Sequence, residues 1–89
     1  FNNIYRVCLE KIKRENEFNK TDIIFDVPLA ILGNTEYKSI DCLDFIENKL
    51  RALHIDTYKL SARSIFISWL YVEVNKLNLK FPPNSDKNI

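Results

Sequence analysis

The stretch from Ile23 to Trp69 constrains this chain more than any other feature: Ile-Ile-Phe-Asp-Val-Pro, an amphipathic run from Ser39 to His54, then alternating segments ending in Ile65-Phe66-Ile67-Ser68-Trp69. Three strand-like pieces around one helix form a complete small folding unit. No residue within it is placed like a catalyst, so an interaction role is the expectation from this stretch.

The chain has 89 residues and an apolar fraction of 46%. A length of this order suits one domain, burying roughly 60–65% of the surface exposed by the open chain. Thirteen basic and twelve acidic side chains leave a net charge of +1 without blocks of one sign. No long-range field therefore steers it to phosphate or to an anionic bilayer, and nucleic acid is not favoured. Glu73, Lys76 and Lys80 interrupt the longest apolar run well short of the roughly 20 residues that span a bilayer. The first residue is Phe1, so the chain reads as a processed product or a piece of something longer.

Ile4, Val7, Cys8 and Ile12 recur at helical spacing, predicting an amphipathic helix from Asn3 to about Asn19, with Asn2 or Asn3 as cap and Asn19 at the frayed end. Ile23 to Val27 reads as a short strand that Pro28 ends, and Gly33-Asn34 marks a loop. In the next helix, Ser39 or Asp41 is the expected cap, and Cys42, Phe45, Ile46, Leu50 and Leu53 form the buried stripe, edged by the stem of Lys49.

His54 to Leu60 and Ser64 to Val72 read as an antiparallel hairpin turning at Ser61-Ala62-Arg63. In its second strand Ile65, Ile67 and Trp69 share one face, and Phe66, Ser68 and Leu70 the other. The second face carries more apolar surface than a solvent-facing strand needs, which points to a covering partner. Residues 1–74 are thus expected to form one α+β domain, two helices packed on a small antiparallel sheet. Residues 75–89, with Pro82-Pro83, read as an extended C-terminal arm whose Leu77, Leu79 and Phe81 alternate as an added strand would. Phe66, Trp69, Leu70, Tyr71, Leu79 and Phe81 are the expected protein-interface residues.

The residues that could carry chemistry do not assemble into a site. One histidine and two cysteines fall short of the common zinc ligand sets, and Cys42 lies twelve positions before His54, more than three helical turns away. Cys8 and Cys42 sit among apolar residues, as buried reduced thiols do, which fits a reducing compartment. Asp41, Asp44 and Glu47 suit the start of a helix and need no catalytic role. No cofactor, metal or catalytic residue is expected. The order helix, strand, helix, hairpin is that of a winged-helix domain, which makes DNA binding the alternative reading. Against it, the second helix would present those three carboxylates to the phosphates, and only Lys59 and Arg63 stand near the hairpin turn.

Phe25-Asp26-Val27-Pro28, Leu32-Gly33-Asn34 with Tyr37, the Cys42 to Leu50 helix, Tyr58 and the Ile65 to Trp69 strand together resemble a small domain recurring in proteins of large nucleocytoplasmic DNA viruses. Those domains carry a glycine at the end of the second helix, where this chain has Leu53-His54. The likeness spans about half of the chain, and its motif residues read as determinants of fold, so it transfers no active site. It implies a minor, capsid-associated structural component that binds other protein subunits of the particle, located in the virion or the cytoplasm of an infected cell. The abundance of Asn, Lys and Ile suits an AT-rich genome, that of such viruses and equally that of several eukaryotic parasites.

Overall fold

A computed structural model describes residues 1–77. In chain order they form α1 (Asn2–Glu17), β1 (Asp22–Asp26), α2 (Ser39–Arg51), β2 (Asp56–Lys59) and β3 (Ser64–Ser68), followed by one turn of 3-10 helix, Val74–Lys76. The fold is α+β. The strands form one antiparallel sheet in the order β1-β3-β2, so the last strand is central and both edges come from earlier in the chain.

Helix α1 buries Tyr5, Cys8, Leu9 and Ile12, an i, i+3, i+4, i+7 stripe. The expected stripe was centred one position off: Ile4 packs at the margin of the core, and Val7 is half exposed. The expected Asn cap is also corrected. Both Asn2 and Asn3 lie inside the helix, and Phe1 holds the N-cap position without a side-chain cap bond. Its carbonyl accepts from the Tyr5 N–H at 2.9 Å, and its ring lies 6.0 Å from that of Tyr37 and 5.7 Å from that of Phe45. Apolar packing fixes this helix start where a polar cap was expected. At the other end Asn19 does adopt the left-handed conformation, with φ 63°.

Helix α2 starts from Lys38 in extended conformation, which corrects Ser39 and Asp41 as caps. Ser39 is the first helical residue and donates its hydroxyl to the Ala62 carbonyl at 2.7 Å, tying the helix start to the hairpin turn. Cys42, Leu43, Ile46 and Leu50 are its buried residues, and Lys49 Nζ stands 5.5 Å from the centre of the Phe45 ring. The helix ends at Arg51, three residues before the expected His54. His54 instead takes φ 63°, the left-handed conformation that favours glycine, and Ile55 N–H then bonds back to Leu50 O at 3.1 Å.

Alternation along the strands divides the sheet into two faces. Ile23, Phe25, Thr57, Ile65 and Ile67 point inward and are buried beneath the helices. The register pairs Ile23 with Ile67 and Ile67 with Thr57, so these three cross the sheet in one row. Strand β3 stops at Ser68, four residues before the expected Val72. The reason is Trp69, whose ring is drawn into the core with its indole N–H donating to Asn16 Oδ1 at 3.1 Å, while Val72 N–H bonds back to Trp69 O. Val74 is also buried, Leu77 packs against the core, and Asn16 Nδ2 donates to Asn75 Oδ1 at 3.3 Å, so α1 anchors this segment. Leu79, Phe81 and the remainder of the expected arm lie outside the described residues.

Candidate protein interface on the sheet

The second face of the sheet has no helix over it among the described residues. Phe66 stands at its centre on β3, paired with Ile24 of β1 on one side and Tyr58 of β2 on the other. These three side chains form a continuous apolar row across all three strands. Ile24 is 56% exposed and Tyr58 74%, while Phe66 between them is half-buried by its neighbours. Leu60, 54% exposed and on the same parity as Tyr58, extends the row beside Ser64. Polar positions border it: Asp22, Ser68 and Asp56 align across one end, and Asp26 pairs with Ser64 at the other, where the serine hydroxyl donates to Asp26 Oδ1 at 2.5 Å. An apolar centre within a polar rim is the anatomy of a protein-binding patch.

The residues singled out in the sequence divide three ways against this surface. Phe66 lies at its centre. Leu70 and Tyr71 are exposed, but β3 has ended and they sit in the turn that follows Trp69, so Leu70 does not share the strand face expected for it. Trp69 is corrected outright as a contact residue: it is only 2% exposed, because its ring fills the core and its polar handle is satisfied by Asn16. Ile24, Tyr58 and Leu60 were missed as a group. Each strand alone showed the right alternation, but the row exists only once the β1-β3-β2 order and register bring them side by side.

The carboxylates of α2 have structural work. Lys59 donates to Asp44 and lies 3.9 Å from Glu47 Oε1, and the buried Thr57 hydroxyl donates to Glu47 Oε2 at 3.2 Å and accepts from Arg51 Nε at 3.1 Å. The hydrogen bond to Asp44 raises the Lys59 ammonium above the ordinary lysine range. This network pins α2 to β2. It also engages one of the basic side chains near the hairpin turn, and the other, Arg63, donates its Nε to Val27 O at 3.2 Å. Both were the groups offered for a nucleic-acid backbone.

Cys8 and Cys42 are buried and unpaired. Burial pushes the Cys8 thiol up to about 12, with Lys11 acting weakly against it and Cys42 adding to it. Burial likewise raises Cys42. A thiol so raised carries almost no thiolate at neutral pH and is a poor nucleophile. Tyr37 is pushed up to about 12, chiefly by desolvation, and donates to Pro28 O at 2.6 Å. Among the described residues no group of three His, Cys, Asp or Glu could hold a metal ion, and no helix is long and apolar enough to cross a membrane.

Residues 1–51 match a family of unknown function, DUF5759. No curated protein and no solved structure matches the chain.

Proposed function

Because the chain belongs to the DUF5759 family, for which no activity is described, we propose from the physical chemistry of its surface that it is a noncatalytic assembly module that binds other protein subunits. The observation that carries this reading is the apolar row Ile24, Phe66 and Tyr58 laid across an uncovered sheet face. Leaving Ile24 and Tyr58 largely in water and Phe66 partly so forgoes some of the roughly 1.5–3 kcal/mol that fully burying a large apolar side chain is worth, a loss that a docked partner would recover. The assembly is a large DNA virus particle, and the chain is a minor capsid-associated component of it. That finer statement rests on the resemblance at Phe25-Asp26-Val27-Pro28, Leu32-Gly33-Asn34 and Ile65 to Trp69.

A winged-helix nucleic-acid binder is the second reading, favoured by the sheet order β1-β3-β2 with a helix before β1 and another before the hairpin. The engagement of Lys59 by Asp44 and of Arg63 by Val27 O weighs against it.

A photo-crosslinking residue at Tyr58, compared with one at Glu10 on α1, tests the assembly reading in the native particle. Adducts to another subunit from position 58 and none from position 10 are expected. Submicromolar binding to duplex DNA that falls steeply with salt, with no adducts from position 58, would replace assembly with the nucleic-acid reading.

A further inference from the structure

The two edges of the sheet are finished differently. In the β1–β3 ladder Trp69 N–H bonds to Thr21 O at 2.9 Å and Val27 N–H to Arg63 O at 2.8 Å. With the observed register, the alternation of an antiparallel ladder turns the N–H and C=O of Ile23 and Phe25 toward β3. Those of Asp22, Ile24 and Asp26 therefore face out from the sheet edge. Lys11 Nζ reaches the Ile24 carbonyl at 3.3 Å, leaving the Ile24 N–H pointing outward beside it. On the β2 edge, by contrast, the Asp44, Glu47, Arg51, Thr57 and Lys59 network joins helix to strand.

An open groove of about 310 Å³ runs beside the β1 edge, lined by Ile4 and Val7 of α1, Phe25, Pro28, Asn3 and Asp26. A strand added to β1 would lie about 4.8 Å away in the plane of the sheet, with its side chains alternating between the groove and the outer face. Toward the groove it would meet Ile4 and Val7. Toward the outer face it would pass Ile24 between the carboxylates of Asp22 and Asp26, both exposed and neither in an ion pair among the described residues. The strand residues opposite them on β3 are Ser68 and Ser64, which supply no positive charge.

We propose that the β1 edge and the groove between α1 and β1 capture an extended segment of another protein, apolar at alternate positions and basic between them, as a fourth strand. The apolar set enters the groove, and the basic set neutralises Asp22 and Asp26. Lys11 swings off the Ile24 carbonyl, exchanging one exposed hydrogen bond for a strand ladder. This site deepens the assembly reading and rests on it, giving a partner chemistry to an edge next to the Ile24, Phe66 and Tyr58 row.

The probe is a seven-residue synthetic peptide alternating lysine and valine, blocked at both ends, titrated into the full chain while amide exchange is followed by NMR. Micromolar binding with slowed exchange at the Ile24 amide is expected. Ile24→Pro removes the outward donor without touching the β3 ladder and should weaken binding at least tenfold, whereas Ile24→Ala retains the amide, loses only side-chain contact, and should weaken binding clearly less than the proline variant does. Val7→Asp, at a half-exposed position of the groove, should also lose at least tenfold, and keeps the test open if the proline variant does not fold. Equal binding of a glutamate–valine peptide, or undiminished binding by both the proline and aspartate variants, would overturn the proposal. Concentration-dependent dimerisation of the full chain that Ile24→Pro abolishes would assign the edge to a second copy and overturn capture of a foreign segment. No peptide binding with position-58 crosslinks intact would sink this site alone, while loss of both would sink the assembly reading with it.

Discussion

The inner and outer faces of the sheet are built from the same three strands, yet they meet opposite fates. Inside, Ile23, Phe25, Ile65 and Ile67 are covered by two helices and close a core with Leu9, Ile12, Leu43 and Leu50. Outside, Ile24, Phe66 and Tyr58 are of comparable apolar character and lie one residue away along each strand, with no cover. Hydrophobicity alone therefore does not distinguish structural from interaction residues in this protein. The position of the helices does, and the inner row should govern stability while the outer row governs association.

The largest effect that would test this division comes from Trp69. Trp69→Ala should cost about 3–5 kcal/mol in urea unfolding, since it opens a cavity and strands Asn16 Oδ1 without its donor. A loss below about 1 kcal/mol would mean the ring is not part of the core and belongs with the contact residues after all.

A gradual effect, smaller over any one pH unit, follows from pH. Cys8, Cys42, Tyr5 and Tyr37 all titrate higher in the fold than their ordinary values of 9.0 for thiols and 10.0 for phenols. The native state thus holds protons that the open chain releases, and their contribution to stability is complete below pH 9 and declines as pH rises toward about 12. Unfolding monitored by circular dichroism should show a melting temperature flat from pH 7 to 9 and falling above it, with Cys8 alone contributing a slope of about 1 kcal/mol per pH unit. A Cys8→Ala variant with the same alkaline slope would show that burial of this thiol is not what sets it.

The smallest effect on stability is expected on the outer face. Tyr58→Ser removes one member of a cross-strand pair with Phe66 and should change unfolding free energy by no more than about 1 kcal/mol. The same variant should abolish partner adducts in the native particle, measured by mass spectrometry after chemical crosslinking. A large stability loss with adducts unchanged would reverse the roles assigned to the two faces.

Much of this architecture is legible from local pattern. The periods of two and 3.6 locate each strand and helix, and Pro28 and Asn19 act at the ends they predict. The errors are equally physical. Local composition favours polar caps at both helix starts, but Phe1 packs on Tyr37 and Phe45, and Ser39 turns to Ala62. The hairpin is shorter than its composition suggests, because Leu70, Tyr71 and Val72 continue the β-forming run while Trp69 leaves the strand to meet Asn16, 53 positions earlier. Nothing near Trp69 in the chain signals that partner. His54 also hides its role: a left-handed position is easy to read when glycine fills it and hard when histidine does.

The amino-acid order by itself determined the fold class, the two α-helices and three strands of the described residues and the absence of a long-range charge field, because these depend on near neighbours and on sums over the chain. Tertiary structure decided which apolar residues are core and which are surface, since that depends on strand order, register and the side on which the helices land. Trp69 and Tyr58 look alike as aromatic residues at the margin of strands, and only the packed chain sends one inward to the half-buried Asn16 and leaves the other beside Phe66 in water.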